Sequence, residues 1–281
     1  MEVAIVTQFR DEARYLKEWI EFHLLVGVDK FYMLNHLSKD NPLDVLQPYI
    51  DKGIVIYSEL NEEYINWNNH GFHNEVNLVT NSIPLLHHLL RDAEADWKMF
   101  LNVDEFLFPR HKDSIKDELI NYPNNIGQVS VNWRFMGNSN YALKDGELLT
   151  EKLTKCALPD DGINYNHQRH VKSLVRKEAY QHMPGVHWCE IKPGYLTCDG
   201  NGDVNNIAPE KHNTNRAVYD RLVINHYVLR DLTFTQQKLD IYKAWGKEMN
   251  EEEYRNMHND DTNYDIHRFL PELKKRMFDQ K

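Results

Sequence analysis

The chain is poor in cysteine: Cys156, Cys189 and Cys198 form an odd set with no CxxC spacing, which argues against a disulfide framework or a zinc site. Such sparse usage points to a reducing compartment. No apolar run approaches the roughly 18 residues that a membrane helix requires. The first expected strand begins at Val3 and leaves no room for a signal peptide, so the expected location is cytoplasmic, either free or peripheral to a membrane. There is no Pro/Gly/Ser-rich linker, low-complexity run or internal repeat, so residues 1–281 read as one domain. Positive charge is also short. With 33 Lys and Arg against 43 Asp and Glu, the net charge of -10 argues against broad affinity for nucleic acid.

What is present is an alternation of strands and helices. Val3 to Thr7 is a short apolar strand, and the segment Arg14 to Val26 places Tyr15, Leu16, Trp19, Ile20 and His23 on one helical stripe. Lys30 to Leu34 is a second strand, Asn41-Pro42 opens a helix whose end Pro48 obscures, and Ile54 to Tyr57 is a third strand. A helical region from about Asn74 to Ala95 leads into a strand at Trp97 to Val103. This order predicts a largely parallel sheet covered by helices. Beyond it the pattern turns to mixed strands around Val129 to Phe135, Val171 to Val175 and Leu222 to Val228. Helices are expected at Phe234 to Trp245 and His267 to Phe278.

The segment from Trp97 to Pro109 sets Asn102, Asp104 and Glu105 between apolar residues. A desolvated carboxylate costs several kcal/mol unless a cation or hydrogen-bond donors compensate it, and a divalent ion is the simplest compensation. If the strand runs through Val103, Asn102 and Asp104 share one face at its carboxyl end, where open α/β sheets bind ligands. Oxygen ligands of this type suit Mg2+ or Mn2+. The alternative is a strand-to-loop turn capped by acidic residues.

Several separated blocks together resemble the GT-A glycosyltransferases, in particular glycosyltransferase family 92 and its family 2-like relatives. Val6 to Glu12 followed by Leu16 to His23 and Gly27-Val28 is similar to the group's K-N-E...EWI-x-x-H...GV start. Tyr32 to Asp40 looks like its nucleotide-side loop, and Asn102 to Leu107 like its D-x-D-E-F metal motif. Lys172 to Arg176, Asn225-His226-Tyr227 and Lys238 match later blocks, so the likeness spans about residues 3 to 240. Two departures stand out: Asn102 replaces the first aspartate, and Arg10-Asp11 replaces Lys-Asn.

The resemblance implies an α/β GT-A fold, Rossmann-like, with a mixed, mostly parallel central sheet. It would comprise a nucleotide-binding half (1–110), an acceptor-side half (111–230) and C-terminal helices (231–281). It also implies a metal-dependent, inverting transfer from a UDP-sugar donor to a glycan or glycolipid acceptor, with Mn2+ or Mg2+ as cofactor. Asp104 would be the principal metal ligand, with Asn102 and His226 beside it. Thr7, Arg10, Glu12, Asn35 and Asp40 are placed to hold base and ribose, although turn and capping roles fit the small polar residues equally well. Lys172 and Arg176, on one face of a strand, could meet the diphosphate, or form a solvated face. An attacking hydroxyl needs a base; Glu190, Asp161 and His187 are the candidates, with Asp160 nearby. Two rival readings remain: a non-catalytic nucleotide-sugar or glycan-binding module, and a metal-dependent phosphoesterase.

Overall fold

The computed structural model describes residues 1–60, 83–159 and 167–278. The first unit is β1 (Val3–Phe9), α1 (Ala13–Leu25), β2 (Lys30–Asn35), α2 (Pro42–Asp51) and β3 (Val55–Glu59). Its three strands pair in parallel. Val3 to Val6 are wholly buried because helices cover both faces of the sheet here, which is why β1 reads as a continuous apolar run. The expected stripe on α1 is buried, and α2 continues through Pro48. The next elements are α3 (Ile83–Asp92), β4 (Trp97–Phe100) and β5 (Glu105–Pro109). The expected helix from about Asn74 lies outside the described residues as far as position 82. From Ile83 its Leu86 and Leu90 pack with Ala4, Val6, Tyr32 and Leu34.

The later elements are α4 (Ile115–Leu119), β6 (Ile126–Phe135), α5 (Leu149–Lys152), β7 (Lys155–Cys156), β8 (Val171–Arg176), β9 (Tyr180–His182), β10 (Glu190–Ile191) and β11 (Leu196–Asp199). They are followed by β12 (Leu222–His226), α6 (Leu232–Ala244), α7 (Glu251–Asn256), β13 (Asp261–Thr262) and α8 (Leu270–Phe278). The main sheet runs β3-β2-β1-β4-β8-β6-β12-β5, with β11 paired to β6. It is mixed and mostly parallel: β8 lies antiparallel to both β4 and β6, and β5 antiparallel to β12. Among the described residues no helix is long and apolar enough to cross a membrane.

One local expectation is corrected. The strand from Trp97 ends at Phe100, and the chain turns through Asn102 to Asp104 before β5 starts at Glu105. Asn102 and Asp104 therefore belong to a turn rather than to alternate positions of one strand. The Glu105 amide donates to the Asn102 carbonyl at 3.1 Å, and the Glu105 carboxylate accepts the Asn102 amide at 2.6 Å. These two bonds tighten the turn.

Candidate active site

The turn delivers Asp104 to the side of β12, because β5 and β12 pair with Glu105 opposite His226. The Tyr227 amide donates to the Asp104 carbonyl at 2.8 Å and fixes that register. Asp104 Oδ2 then lies 3.3 Å from His226 Nε2 and accepts a 2.6 Å hydrogen bond from the Arg230 guanidinium. The other arm of that guanidinium bonds Glu12, from the loop after β1. Burial opposes ionisation of Asp104, but the Arg230 guanidinium, with the His226 ring beside it, outweighs burial and holds the carboxyl well below the usual carboxylate range. Glu12 moves the other way: burial raises it more than Arg230 lowers it.

Behind this layer is a second ion pair. Lys172 Nζ is 3.6 Å from Glu105 Oε2, and the two side chains are 1% and 0% exposed. Burial pushes Glu105 up and Lys172 down, each toward its neutral form. The Lys172 ammonium has no hydrogen-bond partner and sits over the Phe100 ring at 4.5 Å. The Trp19 indole donates to the Glu105 carbonyl at 2.8 Å, so α1 also braces the turn.

A cleft of about 500 Å³ opens beside Glu12, lined by Gln8, Arg10, Glu12, His36, Phe234 and Lys238 among others. It lies where the loops leaving β1 and β2 meet the start of α6. Lys238 is held by the Val228 carbonyl at 3.0 Å. Of the residues expected at base and ribose, Arg10 and Glu12 line the cleft. Three others shape its loops. Asp40 accepts the Ala13 amide at 2.8 Å, Asn35 accepts the Ser38 amide at 3.0 Å, and Thr7 is fully buried in β1.

Magnesium and manganese commonly take one or two protein ligands and complete their shells with phosphate oxygens and water. Asp104 and His226 supply an oxygen and an imidazole nitrogen side by side, and Asn102 adds an amide in the same turn. This donor set fits such an ion. His226 Nδ1 is buried without a partner. Among the described residues, however, no three His, Cys, Asp or Glu side chains converge as a metal-holding group. Any ion here would need its remaining ligands from elsewhere.

The other sequence candidates are spread widely. Arg176 pairs in the sheet with Trp97 at the start of β4, stacks on that ring at 4.4 Å and donates to the Ile126 carbonyl at 2.8 Å. It is thus at the opposite end of the sheet from Asp104. Glu190 follows Cys189, whose amide bonds Gln128 on β6. His226 pairs with Phe135, seven positions further along that strand, or about 23 Å at the usual strand rise. His187 is nearer: its ring and that of His226 both pack on Trp133, at 5.2 and 4.5 Å. Burial, helped by Lys172, pushes His187 down to about 3, so it is neutral at neutral pH. Asp160 and Asp161 lie outside the described residues. Arg230 was not legible as a site residue; it sits in no motif, and only the fold carries it to Asp104 and Glu12.

The family model described as Glycosyltransferase family 92 matches residues 1–270. A glycosyltransferase family 92 protein of Ricinus communis is 25% identical over 234 residues, covering 80% of this chain and 35% of the relative. One from Oryza sativa subsp. japonica is 26% identical over 198 residues, covering 68% and 30%. The chain therefore spans about a third of the length of these curated relatives. Among solved structures, TarS of S. aureus is similar at a TM-score of 0.40 and 12% identity, over 100% of this chain and 73% of that one. An active-site mutant of LgtC is similar at 0.39 and 13%, over 90% and 100%.

Proposed function

The chain belongs to glycosyltransferase family 92, and from that premise we propose that it moves a sugar from a UDP-sugar to a hydroxyl of a glycan or glycolipid. With a glycolipid acceptor it would work peripherally at a membrane surface. The observation that carries the reading is the continuity from the 500 Å³ cleft through Glu12 and Arg230 to Asp104 and His226. In such a transfer the bond between the anomeric carbon and the diphosphate breaks as the acceptor oxygen attacks. Charge then accumulates on the leaving diphosphate, so groups already aimed at it lower the barrier. Arg10 and Lys238 line the cleft where that charge would develop, and Arg230 lies behind it, paired with the lining residue Glu12.

A bound Mn2+ or Mg2+ would supply Lewis-acid stabilisation of the same leaving group. Asp104 and His226, with Asn102, are the residues that would hold it. Lys172, being wholly buried against Glu105, is proposed to act on the diphosphate only through the turn that presents Asp104. The transfer is proposed to invert, with the proton of the attacking hydroxyl passing to a base on the acceptor side, for which His187, packed on Trp133 beside His226, is the candidate among the described residues.

The test is UDP release from a panel of UDP-sugars with Mn2+ and glycan acceptors, comparing the wild type with Asp104→Asn. Loss of about 100-fold or more is expected for the variant, the scale of removing one preorganised electrostatic contact. No release from any UDP-sugar by the wild type, or full activity in a folded variant, would sink the proposal. Binding without turnover would identify a nucleotide-sugar-binding module instead.

A further inference from the structure

Asp104 is already neutralised by the protein itself. Its Oδ2 holds the Arg230 guanidinium at 2.6 Å, and the same guanidinium reaches Glu12. Around this junction stand two carboxylates, Glu12 and Asp104, and two cations, Arg230 and Lys238. A divalent ion entering alone would put two positive charges beside a guanidinium that is 5% exposed, where little water screens the repulsion. A nucleoside diphosphate sugar changes that balance, because its diphosphate brings two negative charges and oxygen ligands. The ligand count agrees, since Asp104, His226 and Asn102 leave half of an octahedral shell to be filled.

Arg230 is also held where it is. Its backbone adopts φ +50°, a left-handed conformation rare for a residue with a side chain, and its amide donates to the Tyr227 carbonyl at 2.8 Å. Its guanidinium lies 5.6 Å from the Tyr15 ring centre and 4.9 Å from that of Phe234. Yet its Nε is buried without a partner, as is the second oxygen of Glu12. A buried donor with no acceptor is costly, and a phosphate oxygen is the kind of group that would satisfy it.

We propose that Arg230 withholds Asp104 from a free divalent cation, so that the cation binds together with the donor's diphosphate and not before it. The inference rests on the cleft being a UDP-sugar site. Removal of the guanidinium charge uncovers Asp104, and the cation then binds without nucleotide.

The test follows Mn2+ by electron paramagnetic resonance and by calorimetry, for Mn2+ alone, UDP with EDTA, and both together, after subtracting the Mn2+ that UDP binds in buffer. The wild type should hold Mn2+ about tenfold or more tightly in the presence of UDP, within the usual range of coupling between linked ligands. Arg230→Gln should bind Mn2+ without UDP, whereas Arg230→Lys, which keeps the charge, should remain dependent on it. Equal Mn2+ affinity of the wild type with and without UDP overturns the inference. So does an Arg230→Gln variant that is folded by circular dichroism yet still needs UDP. If that variant does not fold, Arg230→Met takes its place in the same comparison. UDP that binds under no condition overturns the donor reading as well, and UDP that binds equally with EDTA and with Mn2+ removes the metal from it.

Discussion

Replacing Lys172 by Met removes one half of an ion pair that no water reaches. Glu105, 0% exposed and 3.6 Å from the ammonium, is left with a buried charge whose remaining hydrogen bond comes from the Asn102 amide. Loss of one partner of a buried pair costs about 3–5 kcal/mol in general. Here protonation sets a ceiling. From an ordinary glutamate value of 4.5, neutralising the carboxyl at pH 7 costs about 3.4 kcal/mol, at 1.36 kcal/mol for each of 2.5 units. At pH 5 the same step costs about 0.8 kcal/mol. The sign follows from burial, which raises Glu105 in the folded state, so stability in the variant is present below 4.5 and lost as pH rises. Urea unfolding should therefore show Lys172→Met trailing the wild type by up to about 3 kcal/mol at pH 7 and by far less at pH 5. The double variant Lys172→Met, Glu105→Gln should recover most of the loss, since neither partner is then left charged and alone. A gap that is equal at both pH values, or single losses that simply add in the double variant, would refute this account.

Two further outcomes follow from the same packing. His23 is fully buried with Nδ1 on the Trp19 carbonyl at 2.8 Å and Nε2 accepting the Leu107 amide at 3.2 Å, and burial pushes it down to about 3. The folded protein thus resists a proton that the unfolded chain takes up below 6.5, and stability should fall by about 2 kcal/mol between pH 7 and pH 5 from this residue. Comparing that slope with the slope of His23→Gln in urea titrations checks it; identical slopes would exclude His23 as the cause. Gly137 has no room for a side chain, since an added Cβ would collide with Asn259 Oδ1 and lie 2.5 Å from the His258 carbonyl. Gly137→Ala should cost about 1–3 kcal/mol by thermal melting, as overpacking commonly does, and an unchanged melting temperature would show that this contact yields freely.

The alternation of β1, α1, β2, α2 and β3 was legible because each element repeats a local period, and the buried face of α1 follows from residue spacing alone. The acidic segment at Asn102 to Glu105 was legible too, because carboxylates are rarely placed among apolar residues without a compensating partner. Local pattern nevertheless misjudged its form. Trp97 to Val103 is apolar enough for one strand, but hydrogen bonds between Asn102 and Glu105 close a turn there. Spacing also suggested that Lys172 and Arg176 act together. The antiparallel entry of β8 between β4 and β6 instead buries Lys172 on Glu105 and takes Arg176 to the far end of the sheet.

What the sequence determined by itself was the class of fold, the family resemblance and the position of the acidic turn, each read from short blocks whose own residues are neighbours along the chain. What the tertiary structure decided was which charge meets which: Lys172 with Glu105, and Arg230 with both Asp104 and Glu12. Those partners are far apart in sequence. Their pairing depends on strand order and on exclusion of water, and neither leaves a periodic trace in the sequence.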